Sequence, residues 1–231
     1  MCANPARGEV HSPLLVGVRW EMQYAPLFSL LLLVACSGKA DDSAVVVPAG
    51  LDPLEDNAAS LPSDETVNLV SNDDNAYHDT NARGRILAAI GDVTACVQNP
   101  DVGVDRRRVA SYTVTNDVNA DYPVSYAVLT NVEDVVNITY TITWLQGDRG
   151  DGTYGVRWSK TADDATDANA NLLTLLEGSV LLQPIDGTST DVGIIEHLQA
   201  TMTSTADTEQ FTGDFYASLV ACAHGDALPT Y

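Results

Sequence analysis

Residues 135–145 read Val-Val-Asn-Ile-Thr-Tyr-Thr-Ile-Thr-Trp-Leu. From Val136 onward, Val136, Ile138, Tyr140, Ile142 and Trp144 alternate with Asn137, Thr139, Thr141 and Thr143. Successive side chains of a strand point to opposite faces, so the run predicts an antiparallel strand with one buried and one wet face. The neighbouring sequence extends the pattern. Residues 108–115 and 124–130 supply two strands before it, separated by an Asn- and Asp-rich turn. Residues 147–152 (GDRGDG) make a hairpin loop, and 153–160 returns with Tyr154, Val156 and Trp158 on one face. In that setting Arg149-Gly150-Asp151 reads as turn chemistry rather than an adhesion signal. Residues 172–185 and 191–202 give two further strands around Asp186-Gly187.

The flanks are different in kind. Residues 66–71 alternate as a first strand. Asn81 is then placed to cap a short helix running to Ile90, with Ile86, Leu87 and Ile90 on one face. Gly91 and Asp92 interrupt it, and a second short helix or turn carries Val93, Cys96 and Val97 before Pro100. At the far end Phe211, Phe215, Leu219 and Cys222 recur at helical spacing. They predict a long amphipathic helix capped by Ser204 or Asp207 and ended at Gly225, with Gly213 weakening it by about 1 kcal/mol relative to alanine.

The 231 residues carry 11 Lys and Arg against 32 Asp and Glu, a formal charge of -21. Such a surface has little with which to neutralise phosphates, which excludes nucleic acid as a partner and disfavours docking on anionic headgroups. It suits an exported protein kept soluble and monomeric.

Residues 25–35 (APLFSLLLLVA) are too short to span a bilayer but have the length of a signal-peptide core. Leu33-Val34-Ala35-Cys36 follows and resembles the bacterial lipobox. The resemblance implies removal of residues 1–35, whether synthesis starts at Met1 or Met22, and a lipid anchor on Cys36. Residues 36–64, rich in Ala, Asp, Ser and Pro, are expected to be a flexible tether reaching roughly 30 Å, with the folded domain over 65–231. Ser37 stands where a retention aspartate would. The expected location is therefore the cell envelope, lipid-anchored in the outer membrane, on either its periplasmic or its outer side. With Cys36 acylated, Cys96 and Cys222 form an even pair in an oxidising compartment and are expected to join as a disulfide. Closing a loop of that length stabilises by up to ~5 kcal/mol in the chain-entropy view. Neither cysteine has a Cys or His partner at metal-ligand spacing on both sides.

The element order is strand, two short helices, about six antiparallel strands and one long helix. Together with residues 85–92 (RILAAIGD), 177–184 (EGSVLLQP) and the closing helix, it resembles the START-related helix-grip superfamily (SRPBCC), which includes polyketide cyclases and the birch-pollen allergen family. The resemblance covers about 65–225. It implies an α+β fold: a curved antiparallel sheet of about 6–7 strands wrapped around the C-terminal helix, with two short helices after the first strand. In that fold the short helices brace the far end of the long one, where a Cys96–Cys222 bond would staple them. It further implies a cavity for a lipid, sterol or polyketide-like molecule. Its lining would come from Ile138, Tyr140, Ile142 and Trp144, with Tyr154 and Trp158 opposite and Phe211 and Phe215 from the helix.

The same stripe is what a filled core looks like, so two readings stay open: a hydrophobic small-molecule binder, or a structural or protein-interaction lipoprotein with no ligand. A cyclase or hydratase is a third. No catalytic residue, metal or cofactor is assigned. Glu196 and His197 are adjacent on a strand and face opposite sides. His78 and His224 belong to no recognisable arrangement. The sequence holds no Gly-x-Ser-x-Gly, Walker, His-Glu-x-x-His or EF-hand pattern. The acidic runs 72–79 and 163–167 lack the glycine and spacing of a calcium loop and read as solvated.

Overall fold

The computed structural model describes residues 48–231 except 74–75, 134–136, 165–168 and 202. The signal segment, the lipobox with Cys36, Val136 and parts of both acidic runs lie outside the described residues.

In chain order the elements are β1 (Val67–Asn72), β2 (His78–Ile86), α1 (Ile90–Val97), α2 (Pro100–Gly103), β3 (Val109–Asn116), β4 (Val124–Glu133), β5 (Asn137–Asp148), β6 (Tyr154–Asp163), β7 (Leu173–Asp186), β8 (Ser189–Ala200) and α3 (Thr205–Ala223). One eight-stranded antiparallel sheet runs in the order β1-β2-β8-β7-β6-β5-β4-β3. The last helix packs against β1, β2 and β8 and against both short helices. This is the helix-grip architecture, α+β, with eight strands rather than 6–7.

The additional strand is β2, where the sequence suggested a helix capped by Asn81. Long-range pairing overrides local propensity here. Ala82 and Ile86 are fully buried on the helix-facing side. Between them, Gly84 seats Tyr216 of α3: a Cβ at Gly84 would stand 2.2 Å from the tyrosine ring, whose hydroxyl donates to Arg85 O at 2.6 Å. A bare strand position lets the helix approach, and the short helices consequently begin only at Ile90. The Asn81 side chain caps nothing in this strand; it accepts the Ala58 N–H at 3.0 Å.

That contact belongs to a second departure. Residues 48–64 are not a free tether. Leu51 and Ala59 are each 2% exposed. Leu54 N–H donates to Ser179 Oγ at 3.1 Å, and Asn57 Nδ2 donates to Ala82 O at 2.9 Å. The segment therefore straps the outer face of β2, β8 and β7, which explains why Ile195 of β8 is buried on the side away from α3. Its composition is disorder-like, but two apolar anchors and a few polar groups suffice once the outer face of the sheet is there to receive them.

The ends of α3 are fixed by different chemistry. Asp207 accepts from the Ser204 N–H at 2.7 Å and its Oγ at 3.0 Å, closing the first turn. Gly225 follows the last turn at φ +73°. Cys96 of α1 is bonded to Cys222 of α3, with Cα atoms 5.8 Å apart. Three consecutive arginines before β3 reach along the same helix. Arg106 donates to Ser218 Oγ at 3.1 Å, Arg107 to Asp214 at 2.5 Å, and Arg108 pairs with Asp207.

Candidate ligand cavity

Antiparallel register turns residues far apart in sequence into rows across the sheet. One row on the helix-facing side is Tyr126 of β4, Trp144 of β5, Trp158 of β6, Gly178 of β7, Glu196 of β8 and Thr80 of β2. Its rings stack: Tyr126 and Trp144 centroids are 5.8 Å apart, Trp144 and Trp158 4.8 Å. Trp158 then lies over its neighbour's empty position, because a Cβ at Gly178 would be 1.9 Å from Trp158 Cζ2. At the row's end Thr80 Oγ1 meets Thr208 Oγ1 of α3 at 2.6 Å. We expect Gly178→Ala to cost about 1–3 kcal/mol in urea unfolding and to perturb tryptophan emission, since the indole lies directly over the glycine and must leave its stacked position. An unchanged midpoint would show that the seat is loose.

This aromatic row divides the interior. On one side lies the main core beneath α1 and the second half of α3, including Val156, Leu182 and Leu219. On the other is a smaller apolar cluster around Val132, Tyr140 and Leu173. Between the row and the smaller cluster is a cavity of about 140 Å³, bordered by the α2–β3 connection and the first turns of α3. Its walls are mostly apolar, with Val128, Leu176 and Leu198 beside the aromatic residues. The polar groups are few: Thr130, Thr203, Asp105, Arg108, Asp207, the Tyr140 hydroxyl and the Glu196 carboxyl. A small set of polar groups in an apolar enclosure is the usual make-up of a small-molecule site.

Glu196 is the unusual member. It is 3% exposed, and its Oε2 is buried with no hydrogen-bond partner. Burial, reinforced by Asp105 and opposed by Arg108, pushes its carboxyl well above the usual carboxylate range. The Tyr140 hydroxyl is likewise raised, again chiefly by burial. His197, next in sequence, lies on the outer face against Tyr77, with ring centroids 4.5 Å apart, and its Nδ1 is 3.2 Å from Glu177 Oε1. The two titratable neighbours thus occupy opposite faces.

Of the eight residues the sequence offered as lining, Ile138, Tyr140, Ile142, Trp144, Trp158 and Phe211 border the cavity. Tyr154 and Phe215, expected to line it, do not. Tyr154 shares its face with Trp158 but sits four residues along β6, on the closed side of the aromatic row, where it accepts from Gln98 at 2.9 Å. Phe215 packs edge-on to Trp144 and Trp158 at 6.1 and 6.0 Å, one helical turn below Phe211. Strand and helix phase gave the face correctly but not the depth along it. Glu196, Arg108, Leu176 and Leu198 were not anticipated as lining. An acidic residue on the apolar side of 191–202 was the available signal for Glu196.

Comparison with known proteins adds the fold. No protein-family model and no curated protein sequence matches the chain. Among solved structures, human StAR-related lipid transfer protein 5 superposes with a TM-score of 0.51 at 11% identity, covering 75% of this chain and 86% of that one. The STAR-related lipid transfer protein from Xanthomonas axonopodis gives a TM-score of 0.49 at 15% identity, with 72% and 97% covered. At such identities the likeness concerns the fold.

Proposed function

We propose that this protein is an envelope lipoprotein, anchored through Cys36 in the outer membrane, whose helix-grip domain binds a small apolar ligand between sheet and α3. The observation that carries the binding half is the cavity of about 140 Å³ beside the aromatic row. An engineered apolar void of comparable size, about 150 Å³, stays dry and takes up benzene. A single ring or a short acyl segment is the matching guest. A whole sterol or polyketide needs the larger pockets of about 300–1,000 Å³, and so a displacement of the first turns of α3. The lipid-transfer proteins sharing the fold are in keeping with such a guest. The anchoring half rests on the lipobox sequence alone. With 48–64 strapped to the sheet, those residues add nothing to the reach of a tether.

Each half has its own test. Mass spectrometry of protein extracted from membranes is expected to find an N-terminal peptide beginning at Cys36 and carrying acyl mass, abolished in Cys36→Ala; an unmodified Cys36 would refute the anchor. For the cavity, the mature chain contains two tryptophans, Trp144 and Trp158, and both face the space. Titration with toluene should therefore shift tryptophan emission saturably and release heat in calorimetry. Leu198→Phe, which fills part of the void, should weaken binding by about ten-fold or more. Failure of toluene to bind would leave the filled-core reading, an anchored domain without ligand.

A further inference from the structure

We propose that Glu196 anchors the guest, donating a hydrogen bond from inside the cavity to a hydroxyl or carbonyl oxygen on an otherwise apolar, uncharged molecule. This rests on the cavity reading above and narrows it to a ligand class.

The placement is specific. Glu196 occupies the row position next to Gly178, where the absence of a side chain leaves it flanked by the Trp158 indole on one side and Thr80 on the other. It is on the cavity wall, almost fully buried, and its Oε2 has no partner within the protein. An unsatisfied buried polar atom costs about 1–3 kcal/mol, and such atoms are rare in folded proteins. Thr80 does not satisfy it, since its hydroxyl is engaged with Thr208 and Ser71. Arg108, the cation on the wall, is engaged elsewhere, paired with Asp207 and 3.9 Å from Asp105. Almost fully buried and without a committed cation, the carboxyl stays protonated and presents an O–H. A guest bringing an acceptor oxygen completes that bond; a hydrocarbon leaves it unmade. The Tyr140 hydroxyl, also on the wall and in no hydrogen bond among the described residues, supplies a second donor within the same space.

The experiment compares three ring-sized probes on the mature protein by calorimetry: toluene, with no polar group; cyclohexanone, with an acceptor oxygen only; and benzylamine, an ammonium. Glu196→Leu is expected to weaken cyclohexanone about ten-fold while leaving toluene within about two-fold. Glu196→Gln keeps a neutral donor and should hold cyclohexanone within about three-fold of the parent. Thermal melts establish that both variants fold, and the glutamine variant carries the comparison if the leucine one does not. Equal responses of cyclohexanone and toluene to Glu196→Leu, loss of cyclohexanone in Glu196→Gln, or a preference for benzylamine would each overturn the proposal while leaving the cavity reading intact. Absence of toluene binding to the parent would overturn the cavity reading, and this one with it.

Discussion

Replacing Cys96 and Cys222 together by alanine is expected to lower the unfolding free energy by about 2–5 kcal/mol, read as a fall in the urea midpoint at unchanged slope. The bond spans a sequence separation of 126, a loop containing every strand from β3 to β8. Most of the antiparallel sheet is thus tied off by one crosslink, and freeing its ends enlarges the unfolded ensemble more than a short loop would. The folded state loses little in exchange, because α1 and α3 remain packed through Val93, Val97 and Leu219 in the same core. The loss should therefore appear as stability rather than as a changed fold. Reductant applied to the parent protein should reproduce it and leave the alanine pair unaffected. A midpoint insensitive to both treatments would mean that the unfolded chain is already compact enough for the crosslink not to matter.

What the sequence disclosed and what it hid follow one physical division. Alternation over 137–145 fixed the face of each side chain in β5, because period two is a local property of the backbone. The helical spacing from Phe211 to Cys222 was local in the same sense, and so was the cap at Ser204. Rows across the sheet are not local. That Tyr126, Trp144, Trp158, Gly178 and Glu196 stand side by side depends on the registers of four strand pairs, none of which is written in any one segment. Hence Tyr154 and Trp158 looked equivalent, although only the second reaches the cavity. The same cause hid β2: an Asn followed by small and apolar residues suits a capped helix until β8 and α3 are there to compete. Residues 48–64 were hidden by averaging, since Leu51 and Ala59 act singly within an acidic, proline-bearing composition. The proposed lipobox stands apart, since residues 33–36 are read as a short signal and not through packing.

Glu196→Gln is expected to stabilise the protein increasingly as pH rises, and this difference isolates the buried carboxyl from the remaining surface charge. The folded state holds the Glu196 proton well above the usual carboxylate range, first through burial, then through Asp105, with Arg108 opposing. The unfolded chain releases it near the ordinary glutamate value. Below that value both states are protonated and the contribution of Glu196 to stability is fully present. Above it, unfolding releases a proton that folding must take up again, so stability contributed by this group falls by about 1.4 kcal/mol per pH unit until the folded carboxyl itself ionises. Glutamine has no such proton. Paired urea titrations at successive pH values from 4 upward should therefore show a difference between the two proteins that is smallest at pH 4 and widens in favour of glutamine. The Tyr140 hydroxyl, which shares the wall and is itself raised by burial, stays protonated over this range and cancels in the comparison. A difference that stays constant with pH would mean that the folded carboxyl ionises together with the unfolded one and is charged near neutral pH. Glu196 would then attract an ammonium rather than donate to an oxygen, reversing the proposed class of guest.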